Sequence, residues 1–467
     1  MSETTASNEV GPASSPGGKK REEFSTRWGI LLATLGSAVG LGNIWKFPTL
    51  TGTNGGAAFL IVYIVAVILI GIPVLVSELA IGRTARANAV DAFKKITNKP
   101  NGWWLIGGMG VVASFLIMAF YTEVAGWVLA YVVKAFNPAS LTTDAATLEG
   151  AFGSLVSSPI QALVWQWVDL LIVGGIILLG VTKGIERFTK RLLPLLVTLL
   201  LIVAIRSLTL PGGSEGIKFL FNPDFSKLTG PVILAAVGLA FFKLSEGMGV
   251  MLVYGSYFKS DQDIPATGVR VAFADMAIAL LAGLAIFPAV FAYGFQPAAG
   301  PSLIFMTLPA VFASMPFGQF FFIIFMVLTF IASIGAQISL LEGPVSFIIE
   351  RTKLTRVQAS VLVVLGIAVV GALAALSSST LANVKVFGKT FFDLFDFTTS
   401  NVLLPLGGLA LSIFAGWFWG KENYLKAITN NGTLNNAGFA NVLYTLTKYV
   451  APVLLLVVLL NGFGIFG

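Results

Sequence analysis

The chain has 467 residues, 56% of them hydrophobic and 11% charged, with a mean hydropathy of +0.88 and a formal net charge of +7. A soluble domain carries roughly 25% charged residues, so this composition cannot furnish a water-facing surface of normal area and excludes an ordinary soluble protein. Cys and His are absent, which excludes disulfides, thiolate nucleophiles and the usual zinc sites and leaves carboxylates, Lys and Tyr to carry any proton chemistry.

Residues 1–20 are polar and rich in Ser, Gly and Pro, the composition of a disordered tail. Apolar runs near the ~20 residues that cross a bilayer then recur to the C-terminus. They predict helices at 28–48, 56–80, 104–133, 162–182, 192–209, 230–256, 268–293, 318–348, 357–377, 394–419 and 441–465. The runs lack period-two alternation, which argues against a β-barrel. The expected fold is an all-α polytopic membrane protein of about eleven transmembrane helices.

The basic residues orient it. With the N-terminus inside, the tail and the loops on its side hold most of the 29 Lys and Arg, among them Lys19, Lys20, Arg21, Arg83, Arg86, Lys183, Arg187, Arg351 and Arg356. The opposite loops hold Lys134, Arg206, Lys218, Lys227, Lys385 and Lys389. The positive-inside rule then makes the N-terminus cytoplasmic and the chain a multi-pass protein of the cell (plasma) membrane. The same asymmetry accounts for the net charge, so no nucleic-acid partner is read from it. Membrane lipid is the partner it implies, and contact of Lys19-Lys20-Arg21 with anionic headgroups stays open.

Two spans are interrupted near mid-membrane. The first contains Gly36-Ser37-Ala38-Val39-Gly40-Leu41-Gly42-Asn43, the sixth Leu244-Ser245-Glu246-Gly247-Met248-Gly249. Glycine costs about 1 kcal/mol per helical position, and broken backbone survives in a bilayer only where it is buried or lines a cavity. The breaks fall five spans apart, as in an inverted-repeat transporter whose half-helix ends face a substrate. Close helix packing through Gly36 and Gly40 is the competing reading. On the first reading a transporter domain covers 21–467, as an inverted 5+5 repeat (about 28–209 and about 230–419) with an extra helix at about 441–465.

The stretch Gly36 to Pro48, GSAVGLGNIWKFP, followed by Asn54-Gly55-Gly56, resembles the signature of the neurotransmitter:sodium symporter family, especially its bacterial amino-acid, leucine-transporter-like branch. Pro73, Glu78, Gly82-Arg83, Tyr121, Trp127, Phe241 to Gly249, Ile338 to Glu342 and Phe392 to Asp396 agree with it, and the similarity runs in order over 20–465. The resemblance implies secondary active transport of an amino acid by alternating access. It implies a pocket in which unwound backbone around Ala38, Gly42, Phe242 and Ser245 meets the substrate's amino and carboxylate groups, with the Tyr121 hydroxyl on the carboxylate. Free amides at a half-helix end suit an anion. Ile117, Phe242, Met248, Ala336 and Leu340 would line an apolar side-chain pocket suited to neutral hydrophobic amino acids. Lys46 with Asp396, and Arg21 with Glu350, fall at the family's two gates.

The ion positions depart from the family. In one, Asn43 and the Ala38 carbonyl remain, but Lys243 and Asp275 replace a hydroxyl and an Asn. An ammonium cannot share a low-dielectric site with a cation cheaply, so Lys243 is expected to occupy the cation's place and pair with Asp275. In the other, carbonyls of Gly36, Val39 and Ala332 remain while Gly335 and Ala336 replace hydroxyls; Gln337 or Ser333 compensates only if the register slips by a turn. Leu239 and Ala279 remove chloride-site features and leave Tyr63. Reduced or absent sodium dependence is the resulting expectation, with proton coupling or exchange open and sodium, the one ion the family would hold, uncertain. Glu246 reads as a proton carrier, a substrate-amine contact or a partner for a base, and Lys243 is the second candidate proton carrier. No other cofactor is expected. An enzyme reading finds no nucleophile–base pair, metal cluster or phosphate loop. A transport-inactive amino-acid receptor or regulatory membrane protein is the alternative, and a homo-oligomer stays open.

Overall fold

The computed structural model describes residues 22–98, 102–295 and 300–465. The expected tail over 1–20 and Arg21 lie outside the described residues. Among the described residues, nine continuous helices are long and apolar enough to cross a membrane. They are spans 2 to 5 (Ala57–Ala85, Trp104–Lys134, Pro159–Leu178 and Val181–Leu208), spans 7 to 9 (Ile264–Ala292, Gly318–Arg351 and Arg356–Ser378), and spans 10 and 11 (Phe391–Ile428 and Ala437–Gly462). Span 1 is the pair Arg27–Ala38 and Gly42–Thr53, bent by 50°. Span 6 is two shorter helices, Gly230–Lys243 and Val250–Ser256. Each expected span therefore has a helical counterpart, and the continuous helices close their backbone hydrogen bonds within themselves, as a hydrocarbon surround requires.

Span 5 begins at Val181 rather than 192. Its first turns carry Lys183, Glu186, Arg187, Lys190 and Arg191, which dilute hydropathy although the backbone is already helical. Long basic side chains at a helix end reach the interface while their stems stay apolar. Span 8 packs along spans 3 and 5, and the first half of span 1 lies against spans 5, 7 and 8. The first half of span 6 packs on span 2, and so does the second half, Val250–Ser256. The two breaks are thus held side by side between continuous helices.

Candidate substrate pocket and ion positions

At the first break the helix stops at Ala38, and Val39 is extended with φ −82° and ψ 104°. The freed amides find partners nearby: Leu41 N donates to the Tyr121 hydroxyl at 2.9 Å and Gly40 N to Asn43 Oδ1 at 3.4 Å. At the second break Ser245, Gly247 and Gly249 have φ of +58°, +74° and +71°. A side chain at Gly247 would place its Cβ 2.5 Å from the Leu404 carbonyl oxygen, so glycine there answers both the backbone angle and the close approach. Gly247 N donates to Glu78 Oε1 at 2.7 Å, and the Met248 carbonyl accepts from Ser114 Oγ at 2.7 Å. Ser245 Oγ donates to the Ser37 carbonyl at 2.9 Å, and Ser37 Oγ to Ser339 Oγ at 2.8 Å. These hydroxyls sew span 1, span 6 and span 8 together.

Some of the sequence-predicted pocket residues meet at these breaks: Ala336 and the Tyr121 hydroxyl adjoin Gly40, and Phe242 adjoins Gly42. Ala38, Ile117, Tyr121, Ser245, Met248, Ala336 and Leu340 are all buried, and Phe242 is half-buried. Gly42 sits beside the side chains of Lys243 and Phe242. Lys46 Nζ lies 3.7 Å from the Phe242 ring centre, a cation–π contact that caps the aromatic ring. Asp396 accepts from Ser400 Oγ at 2.8 Å, and Lys46–Asp396 is not among the described ion pairs. At the opposite gate, Glu350 accepts from Asn88 N and Nδ2, both at 2.9 Å. Its expected partner Arg21 lies outside the described residues.

That end of the bundle carries a network beyond the expected gate. Glu22 accepts from Val181 N at 2.6 Å, and Glu186 from Ser25 N at 2.7 Å. Fully buried Phe24 stands edge-on to Tyr254, Tyr257 and Phe258. Tyr257 donates to Glu342 at 2.5 Å, and Arg356 pairs with the same carboxylate. In the adjoining loop the hydrogen bond from Arg27 holds the Asp261 carboxyl below its ordinary value.

At the first ion position, Lys243 Nζ is 3.0 Å from Asp275 Oδ2 and donates to the Tyr63 hydroxyl at 3.1 Å. Asn43 Nδ2 donates to Asp275 Oδ1 at 2.7 Å. Neither charged side chain has any exposure. Asn43 therefore presents its amide hydrogens to the carboxylate, and its oxygen to Gly40 N.

The second expected position is built differently. A Cβ on Gly335 would lie 2.6 Å from the Gly36 carbonyl oxygen and 3.4 Å from that of Val39. Span 8 thus approaches span 1 more closely than any residue bearing a Cβ permits. A small cleft here is lined by Gly36, Val39, Thr189, Ala332, Gly335 and Ile338. The Thr189 hydroxyl turns away to the Ile185 carbonyl at 2.6 Å. Gln337 faces Asp169 of span 4, its Nε2 3.2 Å from Oδ1, and Ser333 Oγ donates to the Phe330 carbonyl. Neither stands in for the missing hydroxyls.

Glu246 is fully buried and turned toward span 2, where Gly71, Leu75 and Glu78 are its neighbours. It forms no ion pair among the described residues. Sequence reasoning missed Asp169, the hydroxyl chain Ser37–Ser339, and Tyr63 as a partner of Lys243. Their shared signal is a polar residue inside an apolar run, which in a bilayer demands a partner.

The model of a family described as the sodium:neurotransmitter symporter family matches residues 21–145 and 157–466. A sodium-dependent transporter of Bacillus subtilis (strain 168), YhdH, is 41% identical over 447 residues, covering 96% of this chain and 99% of its own. A sodium-dependent transporter of Haemophilus influenzae is 36% identical over 456 residues, covering 95% and 98%. Among solved structures, MhsT in complex with L-phenylalanine superposes with a TM-score of 0.87 at 41% identity, over 95% of this chain and 100% of that one.

Proposed function

The chain belongs to the sodium:neurotransmitter symporter family, a family of membrane transporters and not of enzymes, and from that premise we propose that it carries neutral, hydrophobic amino acids across the cell membrane by alternating access, its N-terminus cytoplasmic. The observation that carries this reading is the meeting of the two helix breaks beside the Tyr121 hydroxyl. The residues assigned to the pocket's side-chain half, Ile117, Phe242, Met248, Ala336 and Leu340, are apolar and buried or half-buried. Its backbone half offers unwound amides next to the Tyr121 hydroxyl. Such a pocket meets a carboxylate at one end and rejects side-chain charge at the other. Met248 adapts to different apolar shapes. The phenylalanine bound to MhsT is a ligand of this chemistry.

We further propose that binding needs little or no sodium. Lys243 fills the first cation position, and an ammonium has three N–H donors, of which Asp275 and Tyr63 take two. The third is available to a substrate carboxylate. At the second position the closeness of Gly335 to Gly36 leaves three carbonyls and no carboxylate or hydroxyl for a cation. Lys46 above Phe242 serves as the outer lid, drawn toward Asp396 when substrate is enclosed.

Uptake of labelled phenylalanine and leucine into proteoliposomes, under separately imposed sodium and proton gradients, tests the proposal. Accumulation of neutral but not acidic amino acids supports it. The altered ion positions favour one rival, an amino-acid receptor that binds without moving its ligand; binding with no accumulation or counterflow under any gradient establishes that rival instead.

A further inference from the structure

Glu246 lies between two residues of left-handed backbone, Ser245 and Gly247, at the turn of the second break. It has no exposed surface, and neither carboxylate oxygen makes a hydrogen bond among the described residues. Oε1 is 3.8 Å from where a Cβ on Gly71 would stand, and Glu78, which accepts from the adjacent Gly247 N, is its carboxyl neighbour. Glu78 is equally buried; its Oε1 accepts from Gly247 N, and its Oε2 has no partner among the described residues. Beyond that bond, the amides of Leu252 and Leu75 are the further backbone donors that act on Glu78 and Glu246 respectively.

Nearby bases are engaged elsewhere. Lys243, on the same span, is held by Asp275 and Tyr63. Arg83, further along span 2, donates to Gln262, Asn430 and Ala427. Lys448 of span 11 lies over the Trp417, Tyr444 and Tyr449 rings. Tyr424 reaches this face of span 2 through Ser77 and Thr447, and bears no charge. Burying an ion costs several kcal/mol even after relaxation, and two adjacent carboxylates cannot both ionise in such a place.

We propose that the Glu246–Glu78 couple is a proton-binding site, and that the protein moves a proton with its substrate. The inference rests on the amino-acid reading above and supplies its coupling ion. Glu78 Oε2 and both Glu246 oxygens have no partner among the described residues, so a proton on either acid relieves the couple. The couple acts on the pocket directly, because Glu78 holds Gly247 N between Ser245 and Met248, both assigned to the pocket. Rearrangement of the break during the transport cycle admits water to the couple. The O–H bond then breaks, the proton leaves to that side, and the next proton enters from the other; no electron moves.

The test uses the full chain in sodium-free proteoliposomes with an internal pH indicator and a clamped membrane potential. Added L-phenylalanine should acidify the lumen. An inward proton gradient should concentrate phenylalanine, up to about tenfold per pH unit for one proton per substrate. Glu246→Gln should abolish both effects while phenylalanine affinity and counterflow stay within a few-fold of wild type, and Glu246→Asp should retain part of the coupling. Gradient-driven accumulation that persists in Glu246→Gln overturns the site. So does phenylalanine transport by the wild type without proton entry, a result that needs no variant to fold. Binding without proton entry leaves the pocket reading standing, whereas failure of the wild type to bind any neutral amino acid overturns the pocket reading and this proposal together.

Discussion

The two positions where the family resemblance would put a cation, a few residues apart along span 1, are built by opposite means. At the first, an ammonium and a carboxylate stand in a fully enclosed site and satisfy one another through Tyr63 and Asn43. At the second there is no charge at all: two backbones come together because Gly335 has no side chain to hold them apart. One position holds a charged pair, the other a close backbone contact beside a small cleft. On the proposed reading one ion site is retired by supplying its charge and the other by crowding its carbonyls, and the two routes respond differently to mutation.

The electrostatic site should be the more fragile. Removing one partner leaves a bare buried charge, which costs about 3–5 kcal/mol. Asp275→Asn or Lys243→Met should therefore lower thermal stability in detergent sharply. The double variant Lys243→Thr with Asp275→Asn should recover most of that loss and gain stabilisation by added sodium. Single variants as stable as wild type would mean that the pair is not charged.

At the packed site the effect should be smaller. Gly335→Ser drives a Cβ against the Gly36 carbonyl, an overpacking worth about 1–3 kcal/mol. It should destabilise without conferring a sodium response; a sodium-dependent rise in melting temperature in this variant would show that space alone was missing. Between the two positions stands Tyr121, whose hydroxyl accepts from Leu41 N. On the proposed reading Tyr121→Phe removes a donor to the substrate carboxylate, on the order of 1–3 kcal/mol, and competition binding should show phenylalanine affinity reduced accordingly, with leucine and phenylalanine still ranked above glutamate. The smallest effect belongs to the exposed Arg27–Asp261 pair at 3.0 Å. The Asp261 carboxyl is held below its usual value by that hydrogen bond, so its contribution is present above the ordinary aspartate range and is lost as pH falls through the lowered one. Exposed pairs of this kind contribute little, and Asp261→Asn should leave the melting temperature nearly unchanged at neutral pH.

The breaks were legible in the sequence because clustered glycines weaken a helix at mid-membrane, where broken backbone must be buried or line a cavity. The Lys243–Asp275 pair was legible because two ligand positions on different spans changed together. The start of span 5 was hidden, since Lys183, Arg187 and Arg191 depress hydropathy where the helix has already begun. The direction of Glu246 was equally hidden: a break interrupts the helical period, so sequence spacing no longer says which face a residue takes. Asp169 with Gln337 joins spans 4 and 8 across a distance that sequence reasoning did not bridge. The closure at Gly335 is likewise a matter of interhelical distance, and the sequence alone reported only the loss of a hydroxyl.

Affinity for L-phenylalanine, measured on the wild type in matched sodium and choline buffers, tests the central claim most directly. A resident ammonium at one position and closed packing at the other predict values that agree within a few-fold. A gain of about a hundredfold in sodium, roughly 2.8 kcal/mol of binding energy, would contradict it.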